Sequence, residues 1–301
     1  MLTIEPSGDI LGATVCGLDL RVPLSKGELG QVLAAIGHYG VLCFPGQTLN
    51  PREQAAFTEQ FGELHEARGN HPNGETGVSI LSNIVEDGRN IGNPDAGLIW
   101  HRDMTYYPVA GFANVLYALT VPRRDGRPLG STQLINTAAA CDDLPGDVKA
   151  RLAGAVGCHD FERYNRLARE AGSKRKSYAE QEVTSAPMTH PILFQHPITG
   201  KQVLYCDPSQ VGLIEGLPDG EDSDAMLRFL VGHELQPKYQ KSFTWTEGDV
   251  LMWDNLSTLQ RVIIDYTIDE PRLMHRCQAM GNKIFDPAFI KPALAEAKAA
   301  A

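Results

Sequence analysis

The 301-residue chain has no run of 18 or more apolar residues, so no segment of it reads as a membrane-spanning helix. Its first residues lack the basic stretch followed by an apolar stretch that marks a secretory leader. The six cysteines, Cys16, Cys43, Cys141, Cys158, Cys206 and Cys277, never fall in Cys-x-x-Cys spacing, which disfavours a zinc knuckle or a redox pair. Reduced thiols in a cytoplasmic protein are the expectation. Positive charge is also short. With 27 Lys and Arg against 37 Asp and Glu, the net charge is −10, and neither nucleic acid nor an anionic membrane is expected as a general partner, since both reward excess positive charge. A local basic run, Lys174-Arg175-Lys176, reads as a solvated face, and no repeat period appears.

What is present is a succession of short apolar strands with a few helices. Ser25 with Glu28 is a capping box for a helix running to about Tyr39. Asn50, Pro51 and Glu53 supply an N-cap, an N1 proline and an N3 acid for a second, to about Phe61. Further helices are expected at 146–156 and 224–235, and strands at 115–121, 133–136, 192–195, 202–205, 250–253 and 273–280. Short strands outnumber helices in the second half, which suits a mainly β fold with flanking helices, a double-stranded β-helix or jelly roll. One domain over 1–301 is the economical reading, with 285–301 as a C-terminal tail.

The chemistry starts at His101 and Asp103. If Gly97 to Asp103 is extended, residues two apart share a face, so imidazole and carboxylate converge while Arg102 points away. One imidazole and one carboxylate make half of a divalent-metal chelate, and first-row metals that do oxygen chemistry commonly take two histidines and one carboxylate on one octahedral face. Alone, His-x-Asp is a weak signal. Most strand histidines are simply hydrogen-bonded residues.

The surroundings raise it. GATVCGLDL (12–20), GVLCFPGQ (40–47), FGELH (61–65), WHRD (100–103), HPILFQHPITGK (190–201), WDN (253–255) and RLMHR (272–276) together resemble the taurine/2,4-dichlorophenoxyacetate dioxygenase family, in family order from about residue 10 to residue 282. The resemblance implies an oxygenase that uses Fe(II), 2-oxoglutarate and O2, releasing succinate and CO2 while it hydroxylates or cleaves a small organic acid. It places iron on His101 and Asp103 and 2-oxoglutarate on Thr132 and Arg272. Arg276 falls where relatives pair with an anionic group of the substrate, and His71 near a substrate-facing histidine. The polar segment 161–190 corresponds to a mobile lid. The intact Asp103 argues against the halogenating branch, in which that carboxylate is missing. A homo-oligomer is an option that the sequence does not decide.

The departure is at the distal iron histidine. Seven residues after Trp253, where the family carries it, this chain has Gln260. His275 is no substitute: it lies at odd separation from both Arg272 and Arg276, which share a face if the segment is a strand. Three readings of Gln260 remain open. Its carbonyl oxygen ligates iron as a neutral donor, or it hydrogen-bonds a metal-bound water, or the chain is a metal-poor relative that binds 2-oxoglutarate or a small acid with little turnover. Arginines at four-residue spacing are often only solvated, but two guanidiniums on one face of an apolar strand suit a carboxylate.

Overall fold

The two capping boxes form as the sequence predicts. In the computed structural model, which describes residues 2–66, 71–173 and 186–300, Ser25 and Glu28 bond reciprocally at the start of Lys26–Tyr39, and Asn50 and Glu53 do the same for Pro51–Glu59. Each box satisfies two amide donors that the first helical turn leaves without partners.

Seven strands form the large sheet, in the order Thr3–Pro6, Ala13–Cys16, Val41–Phe44, Val250–Asp254, Gly111–Thr120, Leu273–Met280 and Ser79–Ser82. Alternation along the strands splits their side chains between two cores. Val115, Tyr117, Val250, Met252, Cys277 and Ala279 pack with Val32, Leu33, Ile36 and Phe57 of the two helices. Leu116, Ala118, Leu251, Trp253 and Met274 point the other way, toward Leu134 and Trp245. Leu134 belongs to a smaller sheet ordered Gln240–Phe243, Thr132–Asn136 and Thr258–Val262. The large sheet thus carries helices on one face and the small sheet on the other, a jelly roll with flanking helices. A third small sheet, Met188–Pro191, Val156–His159 and Val211–Glu215, lies beside them in sequence between the two halves.

Several local expectations change. The helix expected at 146–156 stops at Arg151, and Val156–His159 is a strand. Phe161–Glu170, at the start of the expected lid, is an α-helix capped by Asp160, with Tyr164, Asn165 and Ala168 buried. Its abundant Arg and Glu hid that narrow apolar stripe. The rest of the lid reading falls mostly on residues 174–185, outside the described residues. Residues Pro287–Ala300 form a helix against Lys26–Tyr39. The approach is close enough that a Cβ on Gly30 would stand 2.2 Å from the Ala293 carbonyl oxygen. Among the described residues no helix is long and apolar enough to cross a membrane, and all six cysteines are unpaired.

Candidate metal and anion site

Residues 97–103 are not a strand. Only His101 pairs, in an isolated bridge with Gln260 of the Thr258–Val262 strand, and the chain then turns through Met104, whose φ is +57°. The extended reading is therefore corrected, yet its consequence survives: His101 Nε2 lies 3.7 Å from Asp103 Oδ1. Two cis donors about 2.1 Å from one cation stand about 3 Å apart, so a small side-chain rotation separates this pair from a chelate. Arg102 does point away, fully buried on the far side.

The imidazole is oriented by its other nitrogen. His101 Nδ1 lies 2.8 Å from the Ile99 carbonyl oxygen, an acceptor only, so Nδ1 carries the proton and donates. Nε2 then presents a lone pair to the site, the arrangement that metal-binding histidines use.

Gln260 closes the third side. Its Nε2 donates to Asp103 Oδ2 at 2.6 Å and lies 3.3 Å from His101 Nε2. Both neighbours are acceptors, so only the amide nitrogen suits that position. The carbonyl oxygen Oε1 is buried and has no hydrogen-bond partner. Gln260 reaches the place expected of a third ligand, but with its donor end toward Asp103. Among the described residues no three His, Cys, Asp or Glu side chains gather as a metal site. The donor set is one imidazole, one carboxylate and one amide whose unpartnered oxygen is the remaining neutral donor. It fits a divalent first-row metal held less tightly than by two imidazoles.

Beside it lies a cavity, partly open to solvent, between the two sheets. Leu81, Leu116, Trp253 and Arg276 line it from the large sheet, Arg272 from just before the strand Leu273–Met280, and Thr132, Gln260 and Val262 from the small sheet, with His101 between. Arg272 is buried with Nε unpartnered. Burial draws its guanidinium pKa down, and the neighbouring Tyr266 draws it back up. Arg276 NH1 lies 3.7 Å from Asp103 Oδ2, and its Nε is also unpartnered. Thr132 Oγ1 accepts the indole N–H of Trp245 at 3.0 Å. Two guanidiniums and a hydroxyl around an apolar cavity favour an anionic ligand.

His275 faces away with Cys277 and Ala279, and burial pushes its imidazole down to about 4. His71 bonds the Val78 carbonyl at 2.8 Å and is not among the side chains lining the cavity, so the structure does not bring it to the other candidates. Sequence reasoning missed Asn255, Asp207 and Gln210, which bind the main chain of residues 102 and 103. Asn255 stood in a quoted motif without a role. The only signal for Asp207 and Gln210 was a turn-forming Asp-Pro-Ser-Gln.

Residues 3–278 match the family model described as taurine catabolism dioxygenase TauD, TfdA family. Pentalenolactone F synthase of Streptomyces arenae is 30% identical over 84% of this chain and 86% of its own length. The alpha-ketoglutarate-dependent 2,4-dichlorophenoxyacetate dioxygenase of Burkholderia sp. (strain RASC) is 28% identical over 89% and 91%. The crystal structure of AAD-2 in complex with Mn(II) and N-oxalylglycine superposes with a TM-score of 0.74 at 28% identity, covering 93% of this chain and 97% of that one.

Proposed function

Because the chain belongs to the taurine catabolism dioxygenase TauD/TfdA family, we propose that it is an Fe(II)- and 2-oxoglutarate-dependent dioxygenase that hydroxylates or oxidatively cleaves a small organic acid. The observation that carries this reading is the convergence of His101 Nε2 and Asp103 at 3.7 Å, on a cavity that also presents Arg272 and Thr132. Solved AAD-2, with its divalent metal and dicarboxylate, supports it.

His101, Asp103 and, once the side-chain amide turns over from the orientation seen here, the Gln260 carbonyl oxygen would hold the metal. When bound, iron supplies the redox chemistry that couples decarboxylation of 2-oxoglutarate, to succinate and CO2, with substrate oxidation by O2. The chain's own residues bind and orient. Arg272 takes the far carboxylate of 2-oxoglutarate through a planar fork, and Thr132 donates its hydroxyl hydrogen to the same group. Arg276, charged and beside Asp103, offers a second anionic group a partner. Leu81, Leu116 and Trp253 keep water from the cavity wall, which strengthens these charge interactions.

A second reading is favoured by the Gln260 amide nitrogen facing Asp103 at 2.6 Å. Under it the chain is a catalytically weak or inactive relative that binds 2-oxoglutarate or a small acid on the same scaffold. Anaerobic titration with Fe(II) and 2-oxoglutarate separates the two. A weak visible charge-transfer band, then succinate on admitting air, is expected of the oxygenase. No band at high iron, with 2-oxoglutarate still bound, carries the second reading. Gln260→His is expected to raise iron affinity, and an unchanged affinity would remove position 260 from the metal.

A further inference from the structure

The segment that carries both proposed metal ligands has almost no secondary structure to hold it, and its main chain is instead gripped by buried side chains. His101 N–H and C=O pair with Gln260, the last ladder bonds before the turn. At the next residue the carboxylate Oδ2 of Asp207 accepts Arg102 N–H at 2.6 Å, and the Gln210 side-chain amide donates to Arg102 C=O. At Asp103, Asn255 Oδ1 accepts the N–H at 3.0 Å and Asn255 Nδ2 donates to the C=O at 2.7 Å.

Asp207 and Gln210 are themselves fixed. Asp207 Oδ1 accepts from Ser209 N and Oγ at 2.7 and 2.6 Å and from Gln210 N at 3.1 Å. Thr105 Oγ1 donates to Gln210 Oε1 at 2.8 Å, so one glutamine ties residue 102 to residue 105 across the turn. The Arg102 guanidinium is anchored on Thr137, Leu204 and Thr258 and lies 4.3 Å from the Tyr205 ring centre. Arg102, Thr105, Asp207, Gln210 and Asn255 are all buried. Directly after the second grip the backbone holds a non-glycine residue, Met104, in the left-handed region, a conformation that persists only where its surroundings enforce it.

We propose that Asp207 and Gln210, acting on the peptide units flanking residue 102, are positioning residues that set the His101–Asp103 geometry, with Asn255 fixing the Asp103 end. The physical reason is leverage. Rotating those peptide units redirects the Cα–Cβ bonds of both ligands relative to each other, and a metal site tolerates only about 0.5 Å of such error. This inference rests on the reading of His101 and Asp103 as ligands, but its first measurement needs no metal.

In the metal-free protein the Gln260 side-chain amide, held between Asp103 and His101, reports their relative position. Its NMR cross-peaks are identified by their loss in Gln260→Ala. Gln210→Ala is expected to shift those cross-peaks. Thr105→Val, which removes only the hydroxyl that steadies Gln210, is expected to shift them the same way and less, and serves if Gln210→Ala does not fold. Leu230→Ala, a core truncation in the helix Ser223–Glu234, controls for general loosening and should leave them in place. Mn(II) affinity, read by electron paramagnetic resonance, is expected to fall roughly tenfold to a hundredfold in Gln210→Ala. Cross-peaks unmoved by Gln210→Ala and Thr105→Val, or moved equally by Leu230→Ala, overturn the proposal. If the unmodified protein takes up no Mn(II), the metal reading fails on its own, and the amide cross-peaks still decide the positioning role.

Discussion

Thr132 shows how one indole decides what a hydroxyl does. Its oxygen accepts the Trp245 N–H at 3.0 Å, so one lone pair is occupied and the hydroxyl hydrogen is left to turn toward the cavity. A donor there suits an anion, and it stands in the same cavity as Arg272. Thr132→Val keeps the shape and removes the donor. Hydrogen bonds to charged groups contribute about 1.5–3 kcal/mol, so 2-oxoglutarate affinity, measured by calorimetry, is expected to fall roughly tenfold to a hundredfold. An unchanged affinity would put the ligand's carboxylate elsewhere. Gln260 was visible in the sequence as a departure from the family. That its amide nitrogen faces Asp103 depends on two acceptors 157 and 159 residues away in the chain, and no local pattern encodes that.

The turn between Val250–Asp254 and Thr258–Val262 delivers Gln260 to the site, and a buried imidazole–carboxylate hydrogen bond shapes it. Asp254 Oδ2 accepts from His196 Nε2 at 2.6 Å and from Ser257 Oγ at 2.7 Å, while Oδ1 accepts Leu256 N–H at 2.9 Å. His196 Nδ1 in turn accepts the amides of Ile198 and Thr199, so the imidazole bridges two turns. Both side chains are almost completely buried. Removing the carboxylate leaves the buried imidazole N–H, the Ser257 hydroxyl and the Leu256 amide without their acceptor, at a cost of about 1–3 kcal/mol for each such group. Asp254→Ala is therefore expected to lower stability by about 3 kcal/mol or more in urea unfolding, and a loss under about 1 kcal/mol would deny the carboxylate its part in the turn. Both residues lie in segments quoted for the family resemblance, yet their pairing across 58 positions was not readable.

Across the whole molecule, buried titratable groups give stability two opposing pH slopes. Burial lowers the pKa of His159, His190 and His275, the last to about 4. The folded protein therefore binds fewer protons there than the unfolded chain, and their contribution is complete above about pH 6.5 and lost as pH falls toward 4. Glu234 runs the other way. Fully buried with neither carboxylate oxygen partnered, it is raised well above the carboxylate range. Its contribution is complete below about pH 4.3 and is lost as pH rises toward the folded value. Glu234→Gln is expected to raise the melting temperature at pH 8 more than at pH 5, as read by scanning calorimetry at both. Equal shifts would mean that the carboxyl is already ionised and partnered at pH 5.

By itself the sequence determined the starts of the two capped helices, the face shared by the late arginines, and the identity of the groups around the candidate site. All of these are written in neighbours a few positions apart: Ser25 with Glu28, Asn50 with Glu53, Arg272 with Arg276. It misjudged 97–103 because period-two reasoning assumes a strand, whereas the convergence of His101 and Asp103 comes from a turn gripped by Asp207, Gln210 and Asn255. Only the tertiary structure decided which way Gln260 points, that His71 stays off the cavity, and that Arg102 is buried. The reason is physical: local pattern fixes dihedral preferences and which face a side chain leaves by. Hydrogen-bond partnership in a buried site is settled by distant groups that meet only when the two sheets close on each other.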